Sequence, residues 1–175
     1  GIAHCPTSNL RLGSGICPVP HMLDKGVRVG IGVDGSASND SSNFLKEIQL
    51  ALLVHRVGTG VDTMPAQRVL RMATVGGAEI LGRPEIGRIV PGMAADLAVF
   101  NLARIEFAGA MADPAAAPLF CGSGPRAEYT IVAGKIVVEK GLLVGEDEAR
   151  LFHRANEIAE RMLAAAERTT GRNYR

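Results

Sequence analysis

Residues 27–35, with the sequence VRVGIGVDG, decide the fold class of this chain. Their apolar and β-branched side chains form a short run that ends in Asp34-Gly35, which is typical of a buried strand followed by a turn. Residues 1–5, GIAHC, are a second apolar run that ends at Pro6 and predicts another buried strand. Helical patterns alternate with these strands. The sequence therefore predicts an α/β fold with parallel strands joined by helical crossovers.

Apolar residues recur at helical spacing in the region after these strands, as in the stripe at positions 45, 48, 52 and 53. The stretch between the two strands is rich in Pro, Ser, Gly and Asn, which favour turns. A long loop is therefore predicted over residues 6–20, and helices over residues 19–25, 44–57, 64–70 and 74–81.

The pattern changes near Gly87. Residues 87–100 predict a strand, a Pro-Gly turn and a second strand at about 96–101, and residues 128–133 and 135–139 predict a hairpin that turns at Ala133-Gly134. Residues 107–126 are rich in Ala, Pro and Gly and are predicted to be irregular. Acidic residues at 146–148 and an apolar stripe after them predict a terminal helix. The chain is thus divided into an α/β part (1–84), a small β unit (85–145) and a C-terminal helix (146–175).

The composition excludes several classes of protein. The net charge is +1 and no Lys/Arg cluster is present, so a nucleic-acid partner is not expected. No apolar run approaches the roughly 20 residues of a membrane span. The three cysteines are widely spaced, which favours a reduced, cytoplasmic compartment. Because the chain begins directly in a predicted strand, an upstream portion of a longer polypeptide is expected to precede it.

Asp34 is the strongest candidate for a chemical role. Its carboxylate should project from the C-terminal end of an apolar strand, which is the active-site face of parallel α/β barrels. A carboxylate there can bind a metal ion, accept a proton from water and return it to a leaving group. Alternatively, Asp34 caps a turn through its side chain. Position alone gives the two interpretations equal weight.

The histidines and cysteines are weaker candidates. His4 and Cys5 are adjacent on a predicted strand and should point to opposite faces, so they cannot both bind one ion. A hydrogen-bonded structural His4 and a packing Cys5 are expected. The other histidines, His21, His55 and His153, are expected at surface or half-buried helical positions, because no HxH or HExxH spacing is present.

Four motifs together resemble the amidohydrolase superfamily. They are HCPTSN (4–9), GIGVDG (30–35), PGMAADLAVF (91–100) and VAGK (132–135), in this order along nearly the whole chain. The likeness is to the branch that contains guanine deaminases, chlorohydrolases and adenosine-type deaminases. Residues 33–40, VDGSASND, and residues 113–121 look most like 8-oxoguanine deaminases and hydroxyatrazine-type aminohydrolases.

The resemblance implies a fold and a metal. The fold would be the C-terminal portion of a (β/α)8 barrel, containing strands seven and eight, with part of a small β domain and a C-terminal helix. The metal would be one divalent ion, zinc or alternatively iron. Asp34 is carried over as both metal ligand and catalytic group, while the other ligands and the general acid lie outside these residues. Substrate-binding residues stay unassigned, since Ser8, Asn9, Ser36 and Asn39 are as well suited to shaping loops as to contacting substrate.

Three functional hypotheses follow from the resemblance. The first is an aminohydrolase that releases ammonia from a purine-like or triazine-like heterocycle, of 8-oxoguanine type. The second is a hydrolase that removes alkylamine or chloride from a triazine. The third, of another class, is a catalytically incomplete fragment acting as a folding or assembly module. The expected partners are a small heterocyclic substrate and either further copies of the full-length chain or a complementing N-terminal polypeptide.

Overall fold

The computed structural model describes residues 1–122 and 124–174. The strands are β1 (Ile2–His4), β2 (Val29–Ile31), β3 (Leu97–Val99), β4 (Tyr129–Val132), β5 (Lys135–Glu139) and β6 (Leu142–Leu143). The α-helices are α1 (Pro6–Arg11), α2 (Val19–Asp24), α3 (Phe44–Val54), α4 (Ala66–Arg71), α5 (Gly77–Leu81), α6 (Ala117–Phe120) and α7 (Glu148–Thr170).

Strands β1 and β2 pair in parallel, with Ile2 opposite Val29 and His4 opposite Ile31. The chain between them carries α1 and α2, so the connection is a helical crossover of the predicted kind. Both strands therefore end at the same edge of the sheet, and the segments that follow them lie side by side. The mixed α/β class predicted from residues 1–35 is confirmed.

One apolar core lies between β2 and the surrounding helices. The helix α3 contributes Ile48 and Leu52, which are almost wholly buried, while Leu53 of the predicted stripe is 44% exposed. The remaining members come from α2, β2, α3, the α4 region and α6; they are Val19, Val29, Ile31, Ala51, Met64, Ala66, Val69, Met72 and Leu119. The core thus fixes α3 against the strand that leads to Asp34.

The two helices predicted over 64–70 and 74–81 form one continuous helical run. A π-helical segment, Met72–Gly76, joins α4 to α5. This segment lies against β2 so closely that a Cβ built on Gly76 would stand 2.4 Å from the carbonyl oxygen of Val29. A Cβ on Gly30 would stand 3.0 Å from Cα of Gly77. Glycine is required at Gly30 and Gly76 because backbone meets backbone there.

Three secondary-structure predictions are wrong, one of them over residues 107–126, which are not wholly irregular because α6 occupies Ala117–Phe120. Residues 6–20 are not one long loop, because α1 occupies Pro6–Arg11. Proline is well suited to the first turn of a helix, where its missing N–H has no partner to lose, so Pro6 begins this helix. The expected strand before the Pro91-Gly92 turn is also absent, since residues 86–90 have no strand pairing. The second strand of that segment, β3, is present.

The strands β3 to β6 form a four-stranded antiparallel sheet in sequence order. The β4–β5 hairpin turns at Ala133 (φ 48°) and Gly134 (φ 80°), as predicted. Two consecutive positive φ angles are the signature of the two-residue turn that matches strand twist. Asp96 supports this turn by accepting a hydrogen bond from the backbone N–H of Ala133 at 2.7 Å.

Helix α7 is the predicted terminal helix. The Asp147 carboxylate caps it by accepting from the backbone N–H of Arg150 at 3.0 Å, and Gly171 ends it in the left-handed conformation. No described residue of α7 is buried. Its apolar stripe therefore faces outward in this chain. Across residues 1–122 and 124–174, no helix has the length and apolar character needed to cross a membrane.

Candidate active site around Asp34

Asp34 lies just beyond the carboxyl end of β2, with an exposed side chain and a left-handed backbone (φ 62°). Two hydroxyl groups donate to the same carboxylate oxygen, Oδ2. The Ser8 hydroxyl, from α1 after β1, lies at 2.5 Å, and the Ser38 hydroxyl, from the turn after Asp34, lies at 2.9 Å. The carboxylate is thus held between the segments that follow the two parallel strands.

These hydrogen bonds favour the charged form of the carboxylate. The bond from Ser8, followed by those from the Gly35 backbone and from Ser38, lowers the pKa of Asp34 below its usual value. Asp34 is therefore ionised at neutral pH and exposed to solvent. An ionised, oriented carboxylate suits both of the chemical roles expected from the sequence. The alternative role in a turn is also visible, because the Gly35 backbone belongs to its set of hydrogen bonds.

A buried polar network lies beneath Asp34. Glu47 of α3 is fully buried, and its Oε2 accepts a hydrogen bond from the backbone N–H of Thr7 at 3.1 Å. Its Oε1 accepts from Nδ2 of Asn39 at 2.8 Å. The same Nδ2 also donates to the carbonyl oxygen of Val33 at 2.9 Å. This network connects the chain after β1, the turn after β2 and the first turns of α3.

His4 and His55 form a buried pair. Their Nε2 atoms are 3.0 Å apart, and each side chain is less than 5% exposed. The expectation of a hydrogen-bonded His4 is confirmed, whereas that of a surface or half-buried His55 is wrong. Burial and, to a lesser degree, His55 lower the pKa of His4 to about 4, and burial lowers the pKa of His55. Both rings are neutral at pH 7, one donating and the other accepting.

The remaining candidates do not join this site. Cys5 is half-buried, and burial, followed by the nearby Asp34 and Glu47 carboxylates, raises the pKa of its thiol. The thiol is therefore protonated at neutral pH, in keeping with the predicted packing role. Ser36, His21 and His153 are exposed, and Asn9 is half-buried on α1.

The donors needed for a metal centre are only partly present. Within the described residues, no group of three or more His, Cys, Asp or Glu side chains could hold a metal ion. Asp34, ionised and reachable, has the chemistry of one ligand. A tightly held zinc ion normally needs three or four protein ligands. The described residues therefore fit the role of contributing one ligand to a site that other residues complete.

Sequence reasoning missed Glu47 and the role of Ser38. A signal for Glu47 was present, because positions 47, 48, 51 and 55 lie on one side of a helix, and a glutamate among apolar neighbours marks a buried carboxylate with partners. The Ser38 contact depends on the left-handed turn at Asp34, which no periodicity reveals.

Comparison with known proteins identifies relatives along almost the whole chain. The 8-oxoguanine deaminase of Pseudomonas aeruginosa (strain PAO1) is 43% identical over 164 residues, which is 94% of this chain and 36% of that protein. The hydroxydechloroatrazine ethylaminohydrolase of Pseudomonas sp. (strain ADP) is 39% identical, covering 98% of this chain and 37% of that protein. The chain thus spans little more than a third of the length of these relatives.

A solved structure gives the same result. The atrazine chlorohydrolase of Arthrobacter aurescens TC1, complexed with zinc, superposes with a TM-score of 0.84 at 38% identity, covering 90% of this chain and 35% of that one. The model of the amidohydrolase family matches residues 1–137. The parallel strands, the carboxylate after β2 and these matches lead to one conclusion: the chain belongs to the amidohydrolase family.

Proposed function

We propose that this chain is the Asp34-bearing part of a zinc-dependent aminohydrolase, which removes an amino group as ammonia from a purine-like heterocycle of the 8-oxoguanine type. The observation that carries the proposal is the ionised Asp34 carboxylate, held by two hydroxyl donors beyond the carboxyl end of a parallel strand. The 43% identity to an 8-oxoguanine deaminase supports the choice of substrate class.

In this proposal β1 and β2 are strands seven and eight of a (β/α)8 barrel. Residues 1–84 belong to the barrel, residues 85–145 to a small composite β domain and residues 146–175 to the C-terminal helix. Asp34 contributes one metal ligand, and residues outside this chain contribute the others. A zinc ion in such a site lowers the pKa of nearby water toward about 7.

The chemistry assigned to this chain is proton transfer by Asp34. Its carboxylate accepts a proton as the water oxygen bonds to the ring carbon that bears the exocyclic amine. It then returns that proton to the amine nitrogen as the carbon–nitrogen bond breaks. Ammonia leaves, the second proton of the water passes from the new hydroxyl to the adjacent ring nitrogen, and the ring carbon becomes a carbonyl. The hydroxyls of Ser8 and Ser38 keep the carboxylate oriented while its charge changes.

A second enzymatic candidate is removal of alkylamine or chloride from a triazine. The identity to an ethylaminohydrolase and the structural match to a chlorohydrolase favour it. Both candidates use the same Asp34 geometry, and they differ in the group released. A catalytically incomplete assembly module is less well supported, because these relatives carry the names of enzymes.

The test is a product assay on the purified full-length polypeptide. Ammonia release from 8-oxoguanine is expected, and the same preparation is assayed for ethylamine and chloride release from triazines. Release of ethylamine or chloride alone would establish the second candidate. Absence of all three products from a preparation with about one zinc ion per chain would exclude both. A full-length preparation that retains no zinc would favour the non-enzymatic hypothesis.

A further inference from the structure

Glu47 is a buried carboxylate that the proposed chemistry does not use. It is fully buried, and it has no ion-pair partner among residues 1–122 and 124–174. A buried charge is costly unless hydrogen bonds compensate it. Both of its oxygens are used, one by the backbone N–H of Thr7 and the other by the Asn39 side chain. A simple apolar residue at this helix position would avoid the cost.

The two partners of Glu47 are the chain neighbours of the two groups that hold Asp34. Thr7 precedes Ser8, and Asn39 follows Ser38. Both serine hydroxyls converge on Oδ2 of Asp34. The segments after β1 and β2 are separate in sequence. Because Glu47 accepts a hydrogen bond from each of them, it sets the distance between the Ser8 and Ser38 hydroxyls.

Asn39 provides a second route from Glu47 to the same place. Its Nδ2 donates both to Glu47 and to the carbonyl oxygen of Val33, which directly precedes Asp34. Asn39 therefore joins the two ends of the turn, on either side of the exposed carboxylate, and ties that turn to α3 through Glu47.

We propose that Glu47 is a positioning residue: it fixes the segments that carry Ser8 and Ser38, and through these hydroxyls it orients the Asp34 carboxylate. The inference rests on the proposed function for its catalytic consequence. Its structural part, the bracing of two segments by one carboxylate, does not depend on which reaction is catalysed.

The Glu47→Gln substitution tests this role with little change in volume. Both partners of Glu47 are N–H donors, so the amide NH2 of glutamine must face one of them and lose that contact. Glu79→Gln is the matched control, because it makes the same chemical change at an exposed position of α5. Glu47→Asp is a second variant, which keeps the charge but is one methylene too short to reach both segments.

The measurements are turnover, KM, bound zinc and melting temperature of the full-length polypeptide. Turnover per bound zinc ion is expected to fall about 10- to 100-fold in Glu47→Gln, as for other groups that support a metal ligand, with KM changing much less. Glu79→Gln should match the wild type. If Glu47 only supported folding, turnover per bound zinc would stay constant while the folded fraction fell, and that result would overturn the proposal.

A double-mutant cycle separates action through the serines from any other effect. In a Ser8→Ala/Ser38→Ala background, adding Glu47→Gln should reduce turnover by less than about threefold further, because the groups through which it acts are already removed. An equal effect of Glu47→Gln in both backgrounds would contradict the proposal.

Hydrogen–deuterium exchange decides the structural part even when no product is detected. Glu47→Gln should speed amide exchange in residues 5–12 and 34–42, and Glu79→Gln should leave both segments unchanged. A wild type that is inactive on every substrate refutes the proposed function. Unchanged exchange in both segments refutes the role of Glu47. The two failures are therefore distinct. If Glu47→Gln does not fold, the same measurements are made on Glu47→Asp.

Discussion

The Asp34 carboxylate receives both hydroxyl contacts on a single oxygen atom. Ser8 and Ser38 both donate to Oδ2, and neither donates to Oδ1. The side chain is nevertheless exposed. Such an arrangement restricts rotation of the carboxylate and leaves it reachable from solvent, which is what a group that both binds a cation and transfers a proton requires.

Asp34→Asn keeps the shape of this side chain and removes its charge. We expect turnover of the full-length polypeptide to fall by about 10²- to 10⁴-fold, the usual contribution of a general base. The melting temperature should change little, because the side chain is exposed. Asp62→Asn makes the same chemical change at an exposed position outside this turn; it is the control and should retain activity. Near-normal activity of Asp34→Asn would remove Asp34 from the mechanism.

The His4–His55 pair should make stability depend on pH. In the unfolded chain a histidine takes up a proton near pH 6.5, whereas the folded protein protonates His4 only at about pH 4. The depressed pKa therefore contributes stability that is complete above about pH 6.5 and is lost as the pH falls toward 4.

Urea unfolding of the wild type at pH 7.5, 6 and 5 checks this dependence. His4→Gln should flatten it, and the exposed His153→Gln should leave it unchanged. Equal slopes in the wild type and His4→Gln would show that other groups cause the loss of stability at low pH.

Sequence reasoning selected Asp34 as a candidate but did not predict the residues that contact and position it. Asp34 could be selected because it directly follows an apolar strand, and the end of such a strand can be located from the sequence. Ser38 and Glu47 contact their partners through a turn and across elements distant in sequence. Contacts of this kind depend on the left-handed backbone at Asp34 and on how α3 packs, neither of which has a local sequence pattern.

At the scale of elements, the predictions that rested on strong patterns were correct. Strand β2, helices α3 and α7 and the β4–β5 hairpin have apolar periodicity or a Gly turn that specifies them. Helix α1 was missed because its sequence, PTSNLR, is rich in residues that favour turns. It forms because Pro6 suits a first helical turn, and its burial against α3 outweighs weak helix propensity.

The contact between β2 and the π-helical segment yields a paired test. Gly76→Ala would place a methyl group against the Val29 carbonyl, so we expect destabilisation by about 1–3 kcal/mol, the usual cost of overpacking. Gly77→Ala is the matched neighbour, since its Cβ would meet only the Met72 oxygen, at 4.0 Å. It should be neutral or stabilising by up to about 1 kcal/mol, because alanine favours helix. Urea denaturation measures both, and equal effects would contradict the close approach.

At the scale of the whole molecule, the chain exposes many large apolar side chains. Ile89 is 86% exposed, Ile105 89% and Met162 67%, and the apolar side of α7 contacts no buried core. Exposed apolar surface of this extent favours association between protein molecules. These side chains are distributed along the whole described chain, from Leu12 and Val57 (64% and 77% exposed) in the α/β part to the β sheet region and the terminal helix.

We therefore expect the 175-residue chain, produced by itself, to self-associate. Size-exclusion chromatography with light scattering should give a mass that rises with concentration. Replacing Ile158 and Met162 with Glu should reduce this mass, because it places charge on the exposed side of α7. A monodisperse monomer of the unmodified chain with a cooperative thermal transition would show that the exposed apolar surface is tolerated.

The left-handed backbone at Asp34 also has an evolutionary consequence. Aspartate, asparagine and glycine tolerate a positive φ, whereas β-branched residues do not. The codons of asparagine and glycine each differ from an aspartate codon by a single base. The replacements that the backbone accepts most readily are thus easily reached, and neither of them carries a carboxylate. A descendant with either replacement would lose the carboxylate at this position and still fold, so correct folding of a relative does not show that the carboxylate is retained.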